Sequence, residues 1–221
     1  ASRTDSGVHA RHQTAAFTTT EHFTSDGRRI GPPDDRLREA INARLPDDVL
    51  VTACVRANDD FDPIKGCLCK GYEYTIWESA SRPLWERGRA WHQRGPLDER
   101  AMDAAARHLE GTHDFTSFAA VGHGRESAVR TVLSCRVLRD AAVPERVVVR
   151  VSGDGFLWNM VRIIAGTLVD VGRGKSAPDE VPATLAAVDR NRAGPTAPAH
   201  GLCLAWGLYE GDPVPAGVTL N

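Results

Sequence analysis

VRTVLSCRVLRDAAVPERVVVRVSGDGFLWNMVRIIAGTLVDV, residues 129–171, places two strand-like stretches ahead of a helical one. Val129–Arg139 and Arg146–Val151 are rich in β-branched residues and flank a short turn containing Pro144, so they are expected to be neighbouring strands. From Leu157 to Val171 the apolar positions recur at helical intervals, and Gly172 and Gly174 end the pattern. Paired strands followed by a helix point to an antiparallel sheet covered by helices, an α+β fold.

The flanking sequence extends this pattern. Tyr72–Trp77 alternates aromatic and polar residues, as a strand with one buried face does. Asp98–Glu110 reads as an amphipathic helix with Leu97, Met102, Ala105 and Leu109 on one face and Gly111 as its stop. Between them, Ser79–Gly95 is a loop rich in Arg, Pro and Trp, and His113–Phe118 is expected as a loop that packs after the helix. Val181–Val188 suggests a short helix and Leu202–Tyr209 a last strand. Upstream, Gln13–Thr20 and Val49–Arg56 have strand composition. Asp34–Arg44 has helical spacing at Leu37, Ala40 and Ile41, closed by Pro46. The expected whole is a mixed, mainly antiparallel central sheet flanked by helices, in two similar halves with a cleft between them.

The 221 residues are 42% hydrophobic and 25% charged, ordinary values for a soluble globular chain. The nearest candidate for a membrane span, Leu157–Val171, is interrupted by Asn159, Arg162 and Asp170. No basic, apolar and small-residue leader is read either, so a cytoplasmic protein is expected. Cys54, Cys67, Cys69, Cys135 and Cys203 are odd in number and scattered, which favours reduced structural cysteines over disulfides or zinc. His9 and His12 have no further spaced ligand, so no metal site is expected.

The formal charge is −2, yet arginines gather at Arg82, Arg87, Arg89 and Arg94 and again at Arg125, Arg130, Arg136 and Arg139. Acids concentrate elsewhere, at Asp34–Asp35, Asp47–Asp48 and Asp59–Asp60. Such separation permits a basic cleft on an acidic protein, although charge alone equally describes a solvated mixed surface.

Arg3-Thr4-Asp5-Ser6-Gly7-Val8-His9 is a turn-forming stretch around one carboxylate. Asp5 beside Arg3 could act as a nucleophile or base, or simply cap the turn.

Five ordered motifs resemble the bacterial tRNA pseudouridine synthase A family. They are Arg-Thr-Asp-Ser-Gly-Val-His-Ala at 3–10, Lys-Gly-Tyr-Glu-Tyr-Thr-Ile at 70–76, His-Asp-Phe-Thr-Ser-Phe at 113–118, Gly-Phe-Leu-Trp-Asn-Met-Val-Arg at 155–162 and Ala-Pro-Ala-His-Gly-Leu at 197–202. The resemblance implies a cofactor-independent isomerase that converts uridine to pseudouridine at positions 38, 39 and 40 of the tRNA anticodon stem-loop, working as a homodimer. It assigns Asp5 as the catalytic aspartate and Tyr72 as the tyrosine that stacks on the target base and serves in proton transfer. Arg162 becomes the arginine paired with the aspartate, and Arg3 the basic residue that helps displace the flipped nucleotide. Substrate contacts are further implied for Thr4, Gly7, His9, Phe156 and Asn159.

Read without the family, Tyr72, Phe156 and Trp158 are core aromatics. Arg162, inside an apolar helical run, requires a counter-charge, and a buried ion pair with Asp5 is expected. The expected division is 1–60 as an N-terminal half carrying the catalytic loop, 61–212 as a C-terminal half and 213–221 as a loose tail. Relatives open with a further strand and helix bearing Tyr-Asp-Gly and Gly-Trp, which are not present, so the chain is expected to lack that start. Phe61-Asp62-Pro63-Ile64 departs from the His and Arg usual there, with Lys65 as a possible substitute. Two other classes fit the same residues: an RNA-binding module with impaired catalysis, and a structural dimerising α+β protein. Binding of tRNA without isomerisation selects the first, and failure to bind any RNA the second.

Overall fold

A computed structural model describes residues 3–19, 22–23, 25–27, 29–120, 122 and 127–215. Thr20, Arg125 and the tail beyond residue 215 lie outside the described residues. In chain order the elements are β1 (His9–Ala10), β2 (His22–Phe23), β3 (Arg29–Ile30), α1 (Leu37–Asn42), β4 (Cys69–Glu78) and β5 (Trp91–Gln93). Then follow α2 (Glu99–Arg107), β6 (Gly111–Asp114), β7 (Val129–Arg139), β8 (Arg146–Gly153), α3 (Met160–Gly172), α4 (Val181–Ala186) and β9 (Leu202–Leu208). The chain forms two compact units, one of residues 1–14 and 64–221 and one of residues 15–63.

The larger unit is built on a sheet ordered β1-β9-β4-β8-β7-β6, with β5 beside the far end of β4. β1 runs parallel to β9 and β5 parallel to β4, while the other pairs are antiparallel. This is the mixed, mainly antiparallel α+β sheet that the sequence predicts. The period-2 pattern sets the faces: Tyr74 and Ile76 of β4 and Val147, Val149 and Val151 of β8 are buried beneath the helices. α3 supplies Ile163, Ile164 and Leu168 to the same core, and α2 supplies Met102 and Ala105. Gly172 allows the two helices to approach, because a Cβ there would meet Met102 Sδ at 2.6 Å.

α2 starts where Asp98 accepts from the Arg100 and Ala101 amides, both at 3.0 Å, a side-chain N-cap. Carboxylates on α2 and in the turn after it finish the sheet. β6 pairs with β7 only through Val132, and beyond that point Glu110 Oε1 accepts from Cys135 N and Asp103 Oδ1 from Val137 N, each at 2.9 Å. Edge amides that would otherwise be unpaired are satisfied by side chains.

Several expectations at the level of elements are corrected. Gln13–Thr20 is not a strand over its described residues. Val49–Arg56 is not one either, because an amide side chain takes the place of a partner strand: Asn42 Nδ2 donates to Val51 O at 2.9 Å and Val51 N donates to Asn42 Oδ1 at 2.8 Å. Val55 there is 83% exposed. The helix expected over Asp34–Arg44 divides into a 3-10 turn at Asp34–Arg36 and α1. Short strands stand where loops were expected, β5 inside Ser79–Gly95 and β6 ahead of Phe115, because an existing long strand offers its edge to each. In the smaller unit β2 and β3 form a two-stranded antiparallel pair. Among the described residues no helix is long and apolar enough to cross a membrane.

Candidate active site

Asp5 opens a tight turn. Val8 N donates to Asp5 O at 3.0 Å, and Gly7 takes φ 80°, the left-handed value that a side chain would resist. Val8 then packs against the core, and β1 joins β9 with His9 opposite Cys203. A Cβ on Gly7 would lie 3.4 Å from Ala199 Cβ, so the turn sits directly against the 197–201 segment. Asp5 itself is exposed.

Tyr72 lies on β4 between Val151 of β8 and Leu204 of β9, at a β-bulge. Gly71 faces Trp206 and Tyr72 faces Leu204, leaving Ala205 as the extra residue, and the bare Cα of Gly71 accommodates the Trp206 indole. Bulges turn side chains out of their regular alternation, and this one sits beside the candidate site. The Tyr72 ring meets Phe156 edge to face, with centroids 5.1 Å apart and planes at 86°. Burial first, then the Cys67 and Asp5 charges, push the Tyr72 hydroxyl up to about 12. The phenol therefore keeps its proton at neutral pH and can donate a hydrogen bond.

Asn159 stands at the start of α3 in the left-handed region, φ 60°. Its Oδ1 accepts from Arg162 Nη1 at 2.6 Å, while Arg162 Nε donates to Ala197 O at 2.7 Å and Ala197 N donates back to Arg162 O at 3.1 Å. The segment after α4 is thereby fastened to α3. It is also fastened to the sheet, since Tyr74 Oη donates to Pro198 O at 2.8 Å and Gly201 passes beneath that ring.

The buried ion pair expected between Asp5 and Arg162 is corrected by this arrangement. No ion pair joins them among the described residues; Asp5 is exposed, and the half-buried Arg162 guanidinium is satisfied by a carbonyl and an amide oxygen. Neutral acceptors suffice because the guanidinium keeps part of its surface in water. Arg3 is exposed and likewise forms no ion pair with Asp5 among the described residues; Thr4 is half-buried. His9 is exposed and donates from Nε2 to Gly88 O at 2.8 Å. Phe156 is half-buried against the core, whereas Trp158, read as a core aromatic, is 51% exposed.

The structure thus brings Asp5, Gly7, Tyr72, Phe156, Asn159 and Arg162 around the 197–201 segment and the β4 bulge. Sequence reasoning missed Tyr74 and Ala197 as the residues that fix this geometry, although Ala-Pro-Ala-His-Gly already stood among the motifs. It also missed Glu73, which accepts from Arg11 Nη1 at 3.0 Å and Arg150 Nε at 2.9 Å and ties the end of β1 to β4 and β8. All five cysteines are unpaired, and among the described residues no three His, Cys, Asp or Glu side chains gather as a metal would require. A recess of about 390 Å³, lined by Thr167, Asp170 and Ser176 among others, shares no residue with this group.

Residues 105–209 match the family model described as tRNA pseudouridine synthase, a class whose sequence pattern therefore runs from the last turn of α2 through β9. A protein of Geotalea uraniireducens named tRNA pseudouridine synthase A is 42% identical over 207 residues, covering 94% of this chain and 80% of its own length. Proteins of the same name from Geobacillus kaustophilus and Bacillus subtilis are each 42% identical, over 95% and 94% of this chain and 76% and 78% of theirs. The chain belongs to the tRNA pseudouridine synthase A family.

Proposed function

We propose that this chain is a tRNA uridine isomerase that forms pseudouridine at positions 38–40 of the anticodon stem-loop, in the cytoplasm and as a homodimer. The observation that carries the reading is the seating of the Asp5 turn against the 197–201 segment that Arg162 holds, with Phe156 edge to face on Tyr72 and the family membership behind it.

Isomerisation breaks the bond from C1′ to N1 of uracil and makes one from C1′ to C5, while the C5 proton leaves and N1 gains one. Atoms and electrons balance with no co-reactant, so the work falls to side chains. A stem uridine must first leave its stack, at a cost of about a few kcal/mol. Arg3, exposed on the Asp5 turn, suits the displaced backbone, and Tyr72 offers the flipped base an aromatic face. Asp5 then serves as nucleophile or base. Arg162 acts on the site through Asn159 and Ala197, keeping the 197–201 segment against the Asp5 turn. Thr4, Gly7, His9, Phe156 and Asn159 complete the substrate contacts.

The test is tritium release from tRNA labelled at C5 of uridine, with transcripts carrying single uridines at 38, 39 or 40. Release from these and not from a transcript lacking all three supports the reading; no release from any defeats it. Sedimentation at low micromolar concentration should show a dimer.

A further inference from the structure

The segment from Ser79 to Ala90, between β4 and β5, carries an aromatic with almost no protein around it. Trp85 is 94% exposed and Leu84 64% exposed. Arg82, Arg87 and Arg89 surround them, all exposed, and none of their guanidiniums is paired among the described residues. Glu86, the single acid of the segment, forms no ion pair among the described residues; its carbonyl accepts from the Arg89 and Ala90 amides at 2.9 Å each. The loop is anchored. Ser79 N donates to Gln93 O at 3.0 Å, and His92 Nε2 donates to Ser79 O at 2.8 Å. The His9 bond to Gly88 O ties the loop to β1, four residues from Asp5. Behind it lies a recess of about 210 Å³ lined by Arg82, Pro83, Arg87, Trp91, His92 and His200, the last on the segment that also accepts from Arg162.

An indole left in water and three like charges crowded into one anchored turn each carry a cost, apolar hydration in the first case and mutual repulsion in the second, and a single ligand class relieves both. A single-stranded nucleotide supplies a flat π face for the indole and phosphates for the guanidiniums. A duplex does not, since its bases are stacked away.

We propose that the Arg82–Arg89 loop is a second RNA-binding site, in which Trp85 stacks on an unpaired tRNA base and Arg82 and Arg87 hold the flanking phosphates. It deepens the isomerase reading and rests on it. The site grips substrate outside the uridine pocket and takes no part in the chemistry.

The experiment measures tRNA affinity across a salt series, and separately the single-turnover rate at saturating tRNA, for wild type, Trp85→Ala, Trp85→Phe and the double variant Arg82→Ala/Arg87→Ala. These side chains are exposed, so melting temperature should not change. Trp85→Ala should weaken affinity by about 5- to 150-fold, the loss of one stacked base, with the salt dependence unchanged. Trp85→Phe should recover most of that loss. The double variant should reduce the slope of log affinity against log salt by roughly 0.7 per arginine. Single-turnover rates should match wild type throughout. Variants that bind tRNA as wild type does overturn the proposal, and so does a Trp85→Ala protein that loses its dimer while keeping its RNA affinity. A wild type that binds tRNA without isomerising uridine defeats the isomerase reading instead, and the affinity comparison still decides this one.

Discussion

Arg162 Nη1 donates to Asn159 Oδ1 at 2.6 Å, across the first turn of a helix whose leading residue, Asn159, is held at φ 60°. Asparagine tolerates that left-handed backbone better than most residues, and its amide oxygen points the guanidinium toward Ala197. Asn159→Ala should therefore cost roughly 1–3 kcal/mol in urea denaturation, from backbone strain plus an unpaired donor on Arg162. A double-mutant cycle with Arg162→Ala should show coupling of about 0.5–3 kcal/mol. The Asp5→Ala and Arg162→Ala stability losses, by contrast, should add to within about 0.5 kcal/mol, because no ion pair joins them.

Asp5→Asn should abolish tritium release while leaving tRNA affinity within about threefold of wild type, since it removes the nucleophile and keeps the turn that Gly7 and Val8 close. Residual turnover within tenfold of wild type would remove Asp5 from the chemistry.

The Tyr72 hydroxyl, pushed up from 10.0 to about 12, links stability to alkaline pH. Below pH 10 both folded and unfolded states hold the proton and the contribution is intact. As pH rises from about 10 toward 12 the unfolded state ionises first, and stability on the order of 2 kcal/mol is lost. Tyr72→Phe cannot ionise, so its melting temperature should fall less steeply over that range than that of the wild type. Parallel curves would contradict the burial of this hydroxyl.

Asp103 gives the opposite sign. Burial works to raise its carboxyl, but Arg136, the Val137 amide and Arg107 outweigh burial and leave it below the ordinary value of 3.8. Its contribution is present above that pH and is lost as pH falls through the folded value. Asp103→Asn keeps an acceptor for Val137 but not the charge, and should cost about 1–3 kcal/mol at neutral pH while losing less on acidification. Chemical denaturation at neutral and acid pH would measure both.

Gly166→Ala should uncouple the site from the fold. A Cβ on Gly166 would fall on the Pro195 carbonyl oxygen, and one on Gly194 would lie 2.7 Å from Thr167 Cα. Backbone cannot yield as a side-chain tip does, so a loss of about 1–3 kcal/mol or more is expected. Turnover should fall further than tRNA affinity, because Ala197 leaves Arg162 Nε.

The sequence by itself determined the elements whose signal is local. Period-2 alternation placed Tyr72 and Tyr74 on a strand with one buried face. A helical period identified α3 within its apolar run, and five ordered motifs identified the family. The amphipathic pattern over Asp98–Glu110 located α2, which the structure ends at Arg107, ahead of the expected stop at Gly111. What failed locally failed for one reason: Val49–Arg56 has strand composition, but a strand exists only where a partner edge is offered, and Asn42 supplies an amide instead. The same rule made strands of Trp91–Gln93 and Gly111–Asp114, which read as loops. The partner of Arg162 was likewise a tertiary decision. Sequence shows that a guanidinium in an apolar helix needs acceptors, but which acceptors come within 3 Å depends on how the 197–201 segment docks on α3, and that docking is set by two glycines that allow backbone to touch backbone.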